Sequence, residues 1–343
     1  MGKFAYLVRR ISKMNFGQMF AKVEDCHRKS GLSKPRIFFD MIYCGLKYQA
    51  GYMDYWLFEM YSLNRAQRAT VLTRGKNNAL VKRFNDPAHI LDLEDKVQFN
   101  RRFDSFLKRD WLDLRTTSDE AFALFLAKHP VFIAKPIDGL CGKGIDKLEA
   151  SPDSATVLKR RLLENKQYIA EELVIQHPML AALHPYSVNT CRVVSISQGS
   201  HCKAVVAYLR IGNGTHVDNF NSGGMVVPID EATGEIYYPA LDKSGRLFEH
   251  HPLTGVSIKG FRVPRWQEVI ELVEKAGPLL PSVRMVGWDV AVSDHGPLFI
   301  EANYFPGHDI YQLPPHRTDG IGVLPKFEKA LELLDVQEVT VDS

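Results

Sequence analysis

The stretch from Arg284 to Asn303 constrains this chain more than any other, because it reads as a β-hairpin that gathers oxygen ligands. Val286, Trp288, Val290 and Val292 alternate with Asp289 and Ala291. Leu298 and Ile300 alternate with Phe299, Glu301 and Asn303, the period of two expected of half-buried strands. Ser293 to Pro297 between them is turn chemistry. With the turn centred near His295, Asp289 and Glu301 lie six residues to either side. As cross-strand neighbours their Cβ atoms stand roughly 5 Å apart. Glu301 and Asn303, at i and i+2, project from one face. Two carboxylates and an amide oxygen converging there repel unless a hard cation sits among them, and Mg²⁺ takes such ligands together with phosphates. The same pattern also suits an ordinary hairpin whose polar face meets solvent.

The 343 residues suffice for two or three substructures with a sizeable core. A chain 45% hydrophobic and 24% charged is a globular one, and a net charge of +3 is too small to argue for nucleic acid. Cys26, Cys44, Cys141, Cys191 and Cys202 are scattered without CxxC spacing, which favours a reducing, cytoplasmic compartment over a disulfide scaffold. No apolar run approaches a membrane span of about 18 residues. Phe4 to Val8 is too short for a signal-peptide core.

Residues 1–90 read as a helical region, with Phe4, Leu7, Val8, Ile11 and Met14 at helical spacing. Between Met1 and Arg36 stand nine basic residues against Glu24 and Asp25. This excess suits peripheral docking on an anionic membrane surface or a glycan, or simply a solvated helix face. The aromatic run from Ile37 to Tyr61 suits packing between helices or an acceptor platform. From Leu91 strands and helices alternate: strands at Val131–Lys135, Tyr168–Ile175, Thr190–Ser197 and Lys203–Ile211, and helices at Ser154–Glu164, Trp266–Leu280 and Leu324–Leu334. Residues from Asp335 onward are expected to fray.

Between these elements lie residues suited to phosphate chemistry. Lys135 ends a strand and is followed by Gly139, Gly142, Lys143 and Gly144. Such a loop can press backbone N–H groups against phosphate oxygens while lysine neutralises their charge. It is neither a Walker A loop nor a GxGxxG turn. Asp95-Lys96 heads a helix, and the strand Tyr168 to Val174 carries adjacent acids, Glu171 and Glu172, which must face opposite ways. No GxSxG or Cys/His nucleophile signature occurs.

The order of these features resembles the ATP-grasp ligases. Ser187 to Arg192, Asp218 to Gly224 and Gly287 to Asp289 look like the branch of sugar-transfer-associated ATP-grasp proteins, related to α-L-glutamate ligases, over about Leu91 to Tyr311. The resemblance implies an α+β fold of two lobes clamping ATP behind the helical region. The N-lobe would span 91–170, the C-lobe 171–335 and a tail 336–343. It implies that Lys96 and Lys135 hold the α- and β-phosphates and that Gly139, Gly142, Lys143 and Gly144 fold over the γ-phosphate. Glu171 would face the adenine amino group, with the backbone of Glu172, Leu173 and Val174 completing its recognition. Asp289, Glu301 and Asn303 would bind one or two Mg²⁺ ions, with Mn²⁺ able to substitute. Arg210, with Arg192 as a second candidate, would stabilise the reacting centre, and Asn189, Asn219, Asn221, Gly223 and Gly224 would line the acceptor side. Val217 departs from the arginine of related glutamate ligases, and no ribose-binding acid follows within Ile175 to Leu180.

Such a protein would phosphorylate a carboxylate and pass its acyl group to an amine, releasing ADP and phosphate and leaving an amide. The acceptors expected are a sugar acid or a peptide in polysaccharide or natural-product assembly. The alternatives are a phosphotransferase that stops at phosphorylation and a non-catalytic glycan- or membrane-associated module.

Overall fold

The computed structural model describes residues 15–138, 144–150, 154–214, 220 and 223–341. The chain divides into two units, residues 1–83 with 307–328, and residues 84–306 with 329–343.

Phe4, Leu7, Val8, Ile11 and Met14, whose spacing suggested a helix, lie outside the described residues; from Phe16 the first unit is helical. The helix Phe16–Ser30 starts where the Asn15 side chain accepts from the Gln18 N–H and stops at Gly31, whose φ of 71° suits a residue without Cβ. The helix Lys34–Tyr48 buries Ile37, Met41, Cys44 and Tyr48, one stripe at intervals of four and three. Tyr55 and Phe58 join them in the core, so packing absorbs much of the aromatic run. The segment from Gly307 returns to this unit, which the division at residue 90 did not foresee. Gln312 closes the return, accepting from the Leu72 N–H at 3.0 Å and donating to the Leu72 carbonyl at 2.7 Å. The buried pair His308 and Asp54 adds a contact of 2.7 Å.

The second unit holds two antiparallel sheets. The small sheet has the order β1-β4-β2-β3, with β1 Trp111–Asp113, β2 Val131–Lys135, β3 Asp146–Glu149 and β4 Ile169–Glu172. Helices Asp119–Lys128 and Ala155–Glu164 cover one face, burying Phe122, Phe125, Leu158 and Leu162 against Phe132, Ala134 and Ala170. The expected lobe boundary at 170/171 falls inside β4, which completes this sheet.

The large sheet has the order β11-β10-β5-β6-β7-β8-β9. Its strands are β5 Thr190–Gln198, β6 His201–Ile211, β7 Met225–Ile229, β8 Ala240–Asp242, β9 Leu247–Phe248, β10 Met285–Ser293 and β11 Gly296–Asn303. One face packs under the helix Trp266–Ala276 around Trp288, Phe299, Val193 and Leu209. Burying an aromatic side chain such as Phe299 completely contributes about 1.5–3 kcal/mol. The opposite face carries the charged residues of the hairpin. The closing helix Leu324–Val341 continues past the expected stop at Leu334.

Candidate functional site

The hairpin forms, and its register places Asp289 directly opposite Glu301 and Gly287 opposite Asn303. The route there differs from plain alternation. Ser293 pairs Gly296, so the loop is the two residues Asp294 and His295, and Val290 pairs Phe299. Continued unbroken, that register would set Asp289 against Ile300. A β-bulge at Ile300 shifts it by one and turns Glu301 onto the face of Asp289. Phe299, expected on the polar face, is therefore fully buried and stacks on Trp288 at 4.6 Å.

Asp289 lies in a row of charges across the sheet. Its neighbour on β5 is Arg192, whose Nε donates to Oδ1 and whose Nη2 donates to Oδ2 at 2.9 Å. Arg210 on β6 donates to the same Oδ2 at 3.0 Å. A Cβ on Gly287 would crowd Pro306 Cβ at 3.1 Å, while meeting Arg192 only at ordinary contact distance. Burial alone would raise the Asp289 pKa, but the two guanidiniums outweigh it and hold this carboxyl well below the usual range. Glu301 receives the opposite treatment: burial, then the charge and hydrogen bond of Asp289, push it up to about 7. Glu301 thus gives up its proton less readily than an ordinary carboxylate, beside an Asp289 held ionised by two guanidiniums. Asn303 is half-buried, and its side-chain oxygen accepts from the Phe305 N–H at 2.9 Å.

On the small sheet, Lys135 and Glu171 share the face away from the helices, and Lys135 Nζ lies 2.6 Å from the Glu171 carboxylate. Asn100 donates to that carboxylate at 2.8 Å and Arg109 at 3.2 Å. Burial opposes ionisation of Glu171, yet Arg109 and Lys135 bring it down to about 2. Burial lowers the Lys135 pKa; Glu171 works against that shift, Arg109 adds to it, and Glu301 raises it through its charge. Arg109 also donates to the Phe299 carbonyl on β11, tying the small sheet to the hairpin. The Lys96 N–H donates to the Ile137 carbonyl at 3.1 Å, which fixes the head of the helix Lys96–Arg102 beside the segment after Lys135. Gly144 has a φ of 74°, and its carbonyl accepts from Gln167 at 3.1 Å. Gly139, Gly142 and Lys143 lie outside the described residues.

Glu172 faces the helix side, where it accepts from the Asp110 N–H at 3.0 Å. Leu173 and Val174 are half-buried in the connector that follows β4. Asp110, His129 and Glu172 bring ligand-type atoms within 4.8 Å of one another. Lys128 already sits 2.5 Å from Asp110, and His129 2.7 Å. A cleft of about 670 Å³ opens on that side, lined by Trp111, Leu124, Lys128 and Glu172. It is not where Lys135 meets Glu171.

On the expected acceptor side, Asn189 is fully buried, and its amide donates to Gln176, Leu180 and His184 while its oxygen accepts from the Gly212 N–H. Its hydrogen bonds are spent on the fold, which differs from a ligand-facing role. Gly212 is wedged beneath it, since a Cβ would stand 2.2 Å from Ser187 Oγ. Gly223 has a φ of 99° and is exposed, and Gly224 is buried at the start of β7. Asn219 and Asn221 lie outside the described residues.

The sequence reading missed two residues of this network. Asn100 stands one helical turn after Lys96, a spacing that puts both on one face. Arg109 has no such signal; only the approach of the two sheets gives it meaning.

Two antiparallel sheets thus carry buried charges of both signs, Lys135 and Glu171 on the small one and Asp289, Arg192 and Arg210 on the large one. A family model described as sugar-transfer associated ATP-grasp matches residues 75–320, and the chain belongs to that family. Among solved structures it is similar to the ATP-grasp ligase PsnB complexed with a minimal precursor, at 16% identity over 65% of this chain and 56% of that one, with a TM-score of 0.38. Similarity to the D-alanine-D-alanine ligase from Coxiella burnetii is 11% identity over 72% and 62%, with a TM-score of 0.39. For an L-amino acid ligase from Bacillus licheniformis it is 9% over 64% and 42%, at 0.38. The chain thus spans 42% to 62% of the length of these proteins. No curated protein matches it.

Proposed function

We propose that the protein is an ATP-dependent carboxylate–amine ligase working through an acyl phosphate. One observation carries the reading: Arg109 donates both to Glu171, which pairs with the buried Lys135 of the small sheet, and to the Phe299 carbonyl of the hairpin, two residues before Glu301. A cation suited to phosphate thus adjoins carboxylates suited to a metal.

Asp289, Glu301 and Asn303 would hold Mg²⁺, because a divalent cation would supply the positive charge that Glu301, buried beside Asp289, lacks. When bound, the metal neutralises charge on the transferring phosphoryl group. Lys96 and Lys135 would hold the phosphates under the loop from Gly139 to Gly144. As Lys135 turns to phosphate, Glu171 keeps Arg109 and Asn100 as partners. Adenine would lie along Glu171 to Val174.

The carboxylate oxygen of the substrate attacks the γ-phosphorus, the bond to the ADP oxygen breaks, and an acyl phosphate forms. The amine nitrogen then attacks the carbonyl carbon, Arg210 stabilises the oxyanion with Arg192 beside it, and the bond to phosphate breaks as the nitrogen loses its proton. Asn219, Asn221, Gly223 and Gly224 would line the acceptor side. A sugar acid or a peptide is the substrate class we favour; the family's link to sugar transfer supports the first, and PsnB, described with a precursor peptide, supports the second.

The test incubates the protein with Mg²⁺-ATP and panels of acids and amines, following ADP and free phosphate together. Equal release that requires both an acid and an amine is expected. ADP without free phosphate would make it a phosphotransferase. Absence of any nucleotide-dependent rise in melting temperature, in wild type as in Glu301→Gln, would sink the assignment in favour of a non-catalytic module.

A further inference from the structure

The helical unit carries a surface that the ligase reading does not use. On the helix Lys34–Tyr48 every exposed residue is either apolar or basic. Phe39 is 68% exposed, Leu46 58% and Ile42 40%, at the i, i+3 and i+7 positions that share one side of a helix. Tyr43 adjoins them. Phe20 of the neighbouring helix, 56% exposed, stacks at 5.7 Å on Phe38, whose ring meets Phe39 edge-on at 5.5 Å. The apolar surface is therefore continuous across two helices, and an exposed patch of this kind marks a contact surface.

The charges say what covers it. The acids of these two helices are already engaged: Glu24 with Lys34 at 2.6 Å, Asp25 with Lys22 at 3.1 Å, and Asp40 with Arg68 at 2.7 Å. Arg36 and Lys47 flank the apolar strip and have no carboxylate partner among the described residues. The sequence ahead of Asn15 adds Lys3, Arg9, Arg10 and Lys13 and no acid. A second copy packed on this face by two-fold symmetry would bring like charges together. An anionic bilayer satisfies both features, since aromatic and aliphatic side chains enter the headgroup boundary while lysine and arginine reach the phosphates.

We propose that this face seats the protein on an anionic membrane surface, with Phe39, Ile42 and Leu46 inserted and Arg36 and Lys47 at lipid phosphates. The inference does not depend on the ligase reading.

The full-length protein is sedimented with vesicles of phosphatidylcholine mixed with phosphatidylglycerol, and with vesicles of phosphatidylcholine alone. Wild type is expected to pellet with the mixed vesicles and far less with the neutral ones. The double variant Phe39→Ser/Leu46→Ser should lose about tenfold or more of that binding, with unchanged melting temperature. Arg36→Glu/Lys47→Glu should lose it as well, and added salt should weaken wild-type binding. Three results overturn the proposal. One is wild type that stays in the supernatant. Another is a wild-type dimer in light scattering that the serine variant converts to monomer, which assigns the face to a second copy. The third is a serine variant that pellets like wild type.

Discussion

The two buried charge clusters of the second unit differ in their balance. Around Glu171 stand two cations, Lys135 and Arg109, and one acid, which titrates at about 2. Around Asp289 stand two cations and two acids, yet both guanidiniums turn to Asp289 and leave Glu301 at about 7. The first cluster can release a cation and keep its acid paired. The second holds an acid that ionises only reluctantly until positive charge is added. Charge counting alone does not say which acid of the second cluster goes unpaired; which carboxylate each arginine reaches does.

The comparison breaks most readily at Arg192. Arg192→Met leaves two buried acids, Asp289 and Glu301, with the single cation Arg210, and urea denaturation of the metal-free protein should show a loss of about 3–5 kcal/mol. At the other cluster Lys135→Met leaves Glu171 still paired with Arg109, so stability should change little. Turnover of Mg²⁺-ATP in the same variant should fall by about 10²–10³.

Glu301 sharpens the contrast through pH. Its folded pKa of about 7 lies above the ordinary 4.5, so between these values the folded chain holds more protons than the unfolded one. Metal-free stability should therefore fall as pH rises across that window, by about 3 kcal/mol at most. Glu301→Gln should flatten the profile and, at pH 8, melt above wild type without nucleotide while losing its stabilisation by Mg²⁺ and a non-hydrolysable ATP analogue. Glu171 predicts the reverse sign at lower pH: its contribution is full above 4.5 and lost as pH falls toward 2. Asn100→Ala removes one hydrogen bond from an otherwise paired carboxylate and should cost about 1.5–3 kcal/mol in urea denaturation.

The parts legible in the sequence were those set by local periodicity. The helical texture from Phe16 to Tyr48, the long strands β5 and β6 and the alternation in β10 answer to short-range sterics. The opposition of Asp289 and Glu301 was legible too, though alternation put Phe299 on the wrong face because a bulge leaves no mark in residue type. The short strands β1, β3, β8 and β9 were missed; they are only two to four residues long and owe their form to neighbours. Asn189 misled, because an asparagine that lines a ligand and one that ties down a connector look alike until its partners are known. Arg109 was invisible for a related reason: its role joins β4 to β11, far apart along the chain.

The bulge at Ile300 makes β11 a strand with two phases. Its first half is answerable to the aromatic core, its second half to the ions on the opposite side, and one residue of offset keeps the two obligations from competing for the same positions. The packing of Phe299 against Trp288 is thereby kept apart from the placement of Glu301 opposite Asp289. A change in strand length between the two halves undoes that separation, because inserting or removing a single residue there exchanges the two sides.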